Sequence, residues 1–342
     1  MANVTIYSLA KELNMTPSMV SRALNPNGKV SEEKRKLVLA TAEKYGFSVN
    51  KFASRLSMKD VYIGIIINTL WNVVKETMIK GIEEAHSELK DYKVKYDVTI
   101  INANTATDEE YKKAIEKYKG YDGVILTGMS SNKFEPIINE LLNVNPNVVQ
   151  VQSANEKLNC LFSSKHDEKV AAELAAEFLY NSLKRSNRKN VLLFTGNQES
   201  TLHKKAKEAF NNACKNLELN VIGEIDMKDS DEYFEKIINE VFNKYDGKID
   251  GVYITSGLSL VLCKYLYEHK LDLSFVALDI CDHVKEYMEK GVISATIYQN
   301  LSKQMSTAFN LLSKHIISGE NCPEVVHTDL QLVLKSNMHQ YK

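Results

Sequence analysis

Three polar side chains near the start of the chain have the spacing of one helix face. Ser18, Ser21 and Arg22 are separated by three and four positions, so a helix would present them on the same side. Short hydroxyls and a fork-shaped guanidinium in the first half of a helix are suited to reading base edges in the major groove of DNA. The pattern therefore indicates a recognition helix, and the alternative is a small helical hairpin with a solvated face.

Two short helices joined by a turn would position that face. The apolar residues between positions 9 and 24 recur at spacings of three and four, with one interruption near residues 14–16. This is the pattern of a helix-turn-helix unit. Pro17 can occupy the first turn of the second helix, and Thr16 before it is a suitable N-cap. The second helix is predicted to run from Pro17 to about Leu24.

A third helix is predicted after the polar loop that contains Lys29. Ser31 is the expected N-cap, and Gly46 is the expected stop. Three helices in this order would form a compact DNA-reading headpiece. The buried side of the third helix is predicted to consist of Leu37, Val38, Ala40, Thr41 and Tyr45.

Residues 4–57 resemble the DNA-binding headpiece and hinge helix of the lactose-repressor (LacI/GalR) family. The match consists of VTIY at 4–7, VSRALN at 20–25, VSEE at 30–33 and GF at 46–47, with Arg35, Val38, Ala42, Asn50, Ala53 and Leu56. The resemblance implies a homodimer whose paired hinge helices enter the minor groove of a pseudo-palindromic operator. It also implies that Leu56 is an apolar wedge between base pairs, with ordinary hinge packing as the alternative.

The helix pattern and the resemblance together define a set of candidate DNA-binding residues. Some are expected to contact phosphates, which orient the protein without specifying sequence; these are Thr5, Tyr7, Asn25, Ser31 and Asn50. The complete set of candidates is Thr5, Tyr7, Thr16, Pro17, Ser18, Ser21, Arg22, Asn25, Lys29, Ser31, Asn50, Ala53 and Leu56.

Charge is distributed unevenly along the chain. Residues 1–60 contain ten Lys and Arg against five Asp and Glu, whereas the remaining residues contain 33 against 39. Phosphate attraction supplies most non-specific affinity for nucleic acid, so a basic head on an acidic body fits a DNA contact confined to one end. The overall net charge of −1 therefore does not argue against DNA binding.

Composition indicates a soluble globular protein with room for two or three compact units, since 44% of its 342 residues are hydrophobic and 25% are charged. The five cysteines are scattered, which predicts reduced thiols and neither a disulfide framework nor a zinc site. No signal segment or membrane-length apolar run is visible. We therefore expect a cytoplasmic protein without a cofactor.

From residue 62 onward, apolar runs of strand length alternate with amphipathic helical stretches. This alternation is typical of parallel sheets covered on both faces, and two such sets predict two Rossmann-like lobes with a cleft between them. The predicted strands are 62–67, 98–101, 123–126, 148–152, 191–195, 221–225, 251–254, 274–278, 294–298 and a tail at 325–334. The predicted helices are 74–89, 108–118, 134–142, 167–183, 202–217, 232–245, 258–269, 284–290 and 301–317.

The resemblance extends more weakly into this region, which is similar to the periplasmic-binding-protein-like effector domain of the same family. It rests on Gly64, residues 81–82, 121–126, Asp167, Asp279, Gly291 and residues 294–300. It implies three crossings of the chain between the lobes and a sugar or related small molecule in the cleft. The fold class is thus an all-α helix-turn-helix headpiece (1–49), a hinge (50–60) and a two-lobed α/β effector and dimerisation domain (61–342).

Ligands of parallel sheets lie beyond the carboxyl ends of the strands, and this rule selects the effector-site candidates. Asp279 could accept hydrogen bonds from hydroxyls or could cap the following helix. Gln299 could contact the effector or stabilise a turn, and Trp71 could stack on a sugar ring or pack in the core. The complete set is Trp71, Gln152, Asn197, Ser256, Asp279 and Gln299.

Two positions depart from the family pattern. Many sugar-responsive members carry an arginine where this chain has Ala206, and many carry Asn-Asp where it has Ser256 and Gly257. Because an arginine fork is a principal donor to hydroxyls and carboxylates, its loss leaves the effector's identity open.

No nucleotide-binding glycine turn, P-loop, nucleophile elbow or zinc-protease motif is present in the sequence. We therefore expect a ligand-responsive regulator, a repressor, rather than an enzyme. The alternatives are a regulator controlled by a protein partner and a ligand-binding protein without a DNA function.

Overall fold

The three N-terminal helices form a small unit around a shared apolar centre. A computed structural model of the chain describes residues 6–24, 28–45, 59–185 and 187–341. The helices are α1 (Ile6–Glu12), α2 (Pro17–Leu24) and α3 (Glu32–Lys44). The predicted bounds of α2 are confirmed. The side chains that the helices bury together are Leu9, Ala10, Val20, Ala23, Val38 and Ala42.

The buried side of α3 differs from the prediction. Val38 is fully buried, but Leu37 and Tyr45 are 51% and 41% exposed. Two short helices cover only a narrow strip of α3, so Val38 and Ala42 one turn later fill the contact. The Tyr45 hydroxyl instead donates to Glu12 Oε1 at 2.8 Å and ties the end of α3 to the end of α1. The predicted hinge helix at 50–57 lies outside the described residues.

Lobe 1 contains a six-stranded sheet in which every strand pair is parallel. In spatial order its strands are β11 (Val325–His327), β5 (Phe162–Lys165), β4 (Val148–Val151), β3 (Gly123–Thr127), β1 (Val61–Thr69) and β2 (Val94–Asn102). Its helices are α4 (Asn72–Glu88), α5 (Asp108–Tyr118), α6 (Glu135–Leu142) and α12 (Leu301–Ser318).

Lobe 2 repeats this design with one antiparallel edge strand. In spatial order the strands are β12 (Gln331–Val333), β10 (Ala295–Tyr298), β9 (Ser274–Leu278), β8 (Gly251–Ile254), β6 (Asn190–Thr195) and β7 (Asn220–Asp226), and only β12 runs antiparallel to its neighbour. The helices are α7 (Glu168–Ser182), α8 (Thr201–Asn216), α9 (Asp231–Lys244), α10 (Ser259–Glu268) and α11 (Asp282–Glu289).

Each sheet is packed on both faces, which explains the long apolar runs of its central strands. In lobe 1, alternate residues of β1 enter two separate cores: Ile65 packs toward α4 and α12, whereas Ile66 packs toward α5 and α6. Lobe 2 likewise has one core on each side of its sheet. Short 3-10 turns at Lys90–Tyr92, Asn132–Phe134 and Met338–Gln340 complete the described structure.

The chain crosses between the lobes three times. It leaves lobe 1 after β5, returns after β10, and crosses again between β11 and β12. The two lobes and the three crossings predicted from the sequence are confirmed.

Two element predictions were wrong. The tail 325–334 is not one strand, because β11 pairs in lobe 1 and β12 pairs in lobe 2. Strand β5, which was not predicted, carries the polar sequence FSSK and is fixed by its two neighbours, β4 and β11.

The five cysteines are all free thiols, as the sequence predicted. Among the described helices, none combines the length and the apolar character needed to cross a bilayer. No cluster of three or more potential metal ligands occurs within the described ranges.

Candidate functional site

The predicted recognition face of α2 is open to solvent. Pro17, Ser18, Ser21 and Arg22 are exposed, while Val20 on the opposite side is completely buried. Arg22 donates from Nε to the Ser18 carbonyl oxygen at 3.3 Å and from Nη2 to Ser18 Oγ at 3.4 Å. These bonds hold the guanidinium along the helix face beside the hydroxyl that precedes it by one turn.

Both ends of α2 are fixed by side chains. Thr16 Oγ1 accepts a hydrogen bond from the backbone N–H of Met19 at 3.2 Å, which confirms the predicted N-cap. At the other end, Arg35 Nη1 donates to the carbonyl oxygen of Ala23 at 3.2 Å. Because terminal carbonyls of a helix have no partner within the helix, this bond fastens α3 to the C-terminus of α2.

The other described DNA-binding candidates lie on the surface of the same unit. Tyr7 is 75% exposed, and Lys29 and Ser31 are also exposed. Ser31 occupies the N-cap position of α3 but makes no side-chain cap bond, so its hydroxyl is not used there. The candidates that lie outside the described residues are Thr5, Asn25, Asn50, Ala53 and Leu56.

A cavity of about 610 Å³ opens between the two lobes. It is lined by the loop after β1, by strand ends of lobe 2 and by two of the crossing segments. This is the position expected for a ligand of parallel sheets. The predicted effector-site residues that line it are Trp71, Gln152, Ser256, Asp279 and Gln299.

Asp279 follows β9, and both oxygens of its carboxylate accept hydrogen bonds from Gln299. Its Oδ1 accepts from the Gln299 backbone N–H at 3.1 Å and its Oδ2 accepts from Gln299 Nε2 at 3.0 Å. The N-cap of α11 is Cys281, so the helix-capping alternative for Asp279 was wrong. Asp279 is half-buried on the cavity wall, and the partial removal of its carboxyl group from water raises its pKa to about 6.

Gln299 connects Asp279 to the interior of lobe 1. Its carbonyl oxygen accepts from Nε2 of the fully buried Gln304 at 2.9 Å. The carbonyl oxygen of Gln304 in turn accepts from Ser164 Oγ of β5 at 2.9 Å. A continuous set of hydrogen bonds thus runs from the cleft carboxylate, through the crossing after β10, to the strand that precedes the first crossing.

Trp71 contacts both lobes. It precedes α4 in lobe 1, is partly buried, and packs against the core of lobe 2 while lining the cavity. The ligand-stacking and core-packing alternatives are therefore not exclusive at this residue.

Gln152 and Ser256 are placed by turns at strand ends. Gln152 has a φ of 73° after β4, and its Oε1 accepts from Thr127 Oγ1 at 3.4 Å. Ser256 Oγ accepts from the Leu258 backbone N–H at 3.3 Å. Asn197 differs, because it does not line the cavity and its Oδ1 accepts from the Glu199 backbone N–H at 2.9 Å.

Sequence reasoning missed several polar residues of the cavity wall. Thr255 directly follows the predicted strand β8, so the strand-end rule could have found it, whereas His166 follows β5, a strand that was not predicted. Burial lowers the pKa of His166 to about 4, which leaves its imidazole neutral at pH 7. The wall residues that were not predicted include His166, Glu168, His203, Asp231, Tyr253, Thr255, Cys281, Asp282, His283 and Tyr298.

Comparison with known proteins matches residues 63–321 to the family described as periplasmic binding protein domain. The chain belongs to this family. The matched region begins in β1 and ends just after α12, so it contains both lobes and the cavity between them.

The chain also has relatives identified by sequence. Catabolite control protein A of Priestia megaterium is 30% identical over 203 residues, which are 59% of this chain and 58% of that protein. The chain thus spans a little over half the length of this relative. The resemblance to the LacI/GalR family predicted from the sequence is confirmed by this relative and its counterpart in Staphylococcus epidermidis, which is 29% identical over 52% of each chain.

Solved structures share the fold of the periplasmic binding protein domain. GanP, a glucose-galactose binding protein from Geobacillus stearothermophilus, has a TM-score of 0.72 at 19% identity and covers 82% of this chain and 99% of its own. A Bacteroides fragilis protein described as a LacI transcriptional regulator has a TM-score of 0.72 at 14% identity. The match covers 83% of this chain and 100% of that protein's chain. At these identities the likeness concerns the fold alone.

Proposed function

We propose that this protein is a sequence-specific DNA-binding transcriptional regulator, a repressor, whose affinity for DNA is controlled by a small molecule bound between its two lobes. The observation that carries the proposal is the exposed row of Ser18, Ser21 and Arg22 on a helix fixed at both ends. The regulator relatives support it, and so does the basic charge of residues 1–60.

In this proposal α2 enters the major groove and reads the half-site. Arg22 is the principal base contact, because its fork can donate two hydrogen bonds to one guanine. Tyr7, Lys29 and Ser31 surround it and contact phosphates, together with Thr5, Asn25 and Asn50. Ala53 and Leu56 belong to the proposed hinge, with Leu56 entering the minor groove.

The effector lies in the interlobe cavity, where Asp279 and Gln299 supply hydrogen-bond partners and Trp71 supplies an aromatic face. Gln152 and Ser256 complete the proposed contacts, and Asn197 is left out because it lies away from the cavity. A small polar molecule such as a sugar fits a fold shared with a glucose-galactose binding protein. Because Trp71 contacts both lobes, ligand at this point would change the free energy of lobe closure.

We also propose a homodimer in the cytoplasm, which binds a pseudo-palindromic operator by matching its own two-fold symmetry. The proposed division is into headpiece (1–49), hinge (50–60) and effector domain (61–342), and the net positive charge lies in the first two parts.

The decisive experiment is selection of bound duplexes from a random pool, repeated with a library of metabolites. A regulator of this kind enriches one pseudo-palindromic sequence and loses or gains affinity for it with one metabolite class. Failure to enrich any duplex overturns the proposal and leaves a ligand-binding protein without a DNA function. Enrichment that no metabolite changes would instead indicate control by a protein partner.

A further inference from the structure

The ionisable groups on the cavity wall include several acidic side chains and no strongly basic one among the described residues. Among the described residues that line it there are four carboxylates and three imidazoles, with neither lysine nor arginine. Ala206, which is also part of the wall, brings neither a charge nor a hydrogen-bond donor side chain to it. The four carboxylates belong to Glu168, Asp231, Asp279 and Asp282.

These carboxylates are not equivalent. Both Glu168 oxygens lie 3.2 Å from Lys165 Nζ just behind the wall, so that pair carries no net charge. Asp231 and Asp282 are exposed at the rim, where water solvates them. Asp279 is half-buried, and the hydrogen-bond partner of its carboxylate among the described residues is the neutral Gln299.

Asp279 is therefore a half-buried carboxylate that forms no ion pair with any described residue. Its raised pKa, about 6, reflects this environment. A neutral ligand that displaced water from the cavity would increase the desolvation cost of the carboxylate, and an anionic ligand would add repulsion. A cationic ligand would supply the missing charge.

Aromatic rings line the same cavity. Tyr253 of β8 and Tyr298 of β10 line the cavity from lobe 2, and Trp71 lines it from lobe 1. Burial, and after it the charge of Asp279, raises the pKa of both tyrosines. Faces of Trp and Tyr attract ammonium groups, most strongly where water is excluded.

We propose that the effector is an organic cation, whose ammonium group binds at the Asp279 carboxylate among Trp71, Tyr253 and Tyr298. Its remaining polar groups would meet Gln152, Ser256 and the neutral imidazole of His166. The inference rests on the proposed function only in placing the effector in this cavity. A cavity of this kind would bind phosphorylated and carboxylated ligands weakly.

The fluorescence of Trp71 provides a direct readout, because this is the only tryptophan in the chain and it lines the cavity. The full-length protein is titrated at pH 7 and constant ionic strength with tetramethylammonium, glucosamine, glucose and glucose 6-phosphate. The two ammonium probes should give saturable changes. Glucose should bind about tenfold more weakly than glucosamine, and glucose 6-phosphate should bind more weakly still.

Asp279→Asn preserves the size and one acceptor oxygen of the side chain while removing its charge. This variant should lose the preference for glucosamine over glucose. The matched control is Asp272→Asn, because Asp272 is exposed and precedes the strand that Asp279 follows. The control should retain the preference. If Asp279→Asn does not fold, the order of affinities in the wild-type protein decides alone.

The inference is overturned if glucose or glucose 6-phosphate binds as tightly as glucosamine, if neither ammonium probe gives a saturable change, or if folded Asp279→Asn keeps the preference. These outcomes are separate from the test of the regulator function. A protein that selects one duplex but rejects ammonium probes refutes only the cation. A protein that binds ammonium probes but selects no duplex refutes only the regulator.

Discussion

The two hydrogen bonds from Arg22 to Ser18 show how one residue can orient another without burying it. Both side chains are exposed, so the bonds cost the guanidinium little desolvation and can be exchanged for bonds to a base. Because they restrict the side chain before DNA arrives, they also reduce the entropy lost on binding.

Arg22→Ala should relax base preference rather than abolish DNA binding. A bidentate contact from arginine to guanine contributes about 1–3 kcal/mol of discrimination against the wrong base. The preferred duplex should therefore lose affinity while random duplexes lose little, which competitive binding assays can measure. Equal losses on both kinds of duplex would show that Arg22 does not read bases.

Lys29→Ala is the matched control for that experiment. Lys29 is exposed beside the headpiece core and is expected to contact phosphate. Its loss should weaken specific and random duplexes alike and reduce the salt slope of binding by about one.

The raised pKa of Asp279 predicts how the stability of the folded protein changes with pH. An ordinary aspartate has a pKa of about 4, whereas burial raises that of Asp279 to about 6. The folded protein thus holds this proton more tightly than the unfolded chain, so the group's contribution to stability falls as the pH rises from about 4 to about 6.

Asp279→Asn cannot ionise and should escape that loss. Relative to the wild type, the variant should become more stable as the pH rises through this window. Urea denaturation midpoints at pH 4.5 and pH 7, followed by Trp71 fluorescence, measure the difference. A difference that stays constant between the two pH values would contradict the raised pKa.

The sequence predicted several cavity residues that follow recognised strands, although it missed Thr255 after β8, and it did not predict the ones that other elements bring in. Asp279 and Ser256 were found because β9 and β8 are obvious apolar runs. His203 was missed because it reaches the cavity from helix α8. Asn197 occupies a strand end yet turns its side chain to its own loop, and such local bonding by Asn is common where a helix follows.

Among the elements, α5 begins with a capping box, in which two side chains each bond to the backbone N–H of the other residue. Thr107 Oγ1 accepts from the Glu110 backbone N–H at 3.3 Å, and Glu110 Oε2 accepts from the Thr107 backbone N–H at 2.8 Å. The reciprocal bonds satisfy two groups that the helix itself cannot. Helix α5 begins at Asp108, the residue at which its start was predicted.

Thr107→Ala should destabilise lobe 1 by about 1 kcal/mol, the usual effect of removing an N-cap oxygen. Urea denaturation followed by circular dichroism measures this change. Ser200→Ala is the control, because Ser200 occupies the N-cap of α8 without a side-chain cap bond. An equal loss in both variants would mean that the capping bond does not stabilise α5.

Helices and strands were predicted correctly where a periodic pattern of apolar residues extended over the whole element. The prediction was wrong where a segment becomes a strand because of the strands it pairs with. Strand β5 has the polar interior Ser163 and Ser164, so no apolar run marks it, and only β4 and β11 on its two sides make it a strand. The tail alternates like one strand, but Thr328 intervenes, and its N–H donates to the carbonyl oxygen of Lys165 at 2.9 Å at the lobe junction.

At the scale of the whole molecule, the Lys165–Glu168 ion pair stabilises the first crossing between the lobes. Both residues are more than nine-tenths buried, and the lysine donates to both carboxylate oxygens. Removing one partner of such a pair leaves an uncompensated charge, whereas replacing both by apolar residues of similar size is nearly neutral.

Lys165→Met should therefore lower the free energy of unfolding by about 3 kcal/mol. The double variant Lys165→Met/Glu168→Met should recover most of that loss. A double-mutant cycle from urea denaturation measures the coupling between the two residues. Additive losses would show that the pair contributes nothing beyond its separate side chains.

The returning helix α12 has a consequence for how the protein is made. Leu301, Met305, Phe309 and Leu312 complete the core of lobe 1, although the lobe's first strand begins at Val61. On the ribosome, a nascent chain must carry an unfinished lobe through the synthesis of nearly all of lobe 2. Translation products that end before α12 would expose apolar surface on the earlier lobe, which makes such products targets for chaperones and proteases.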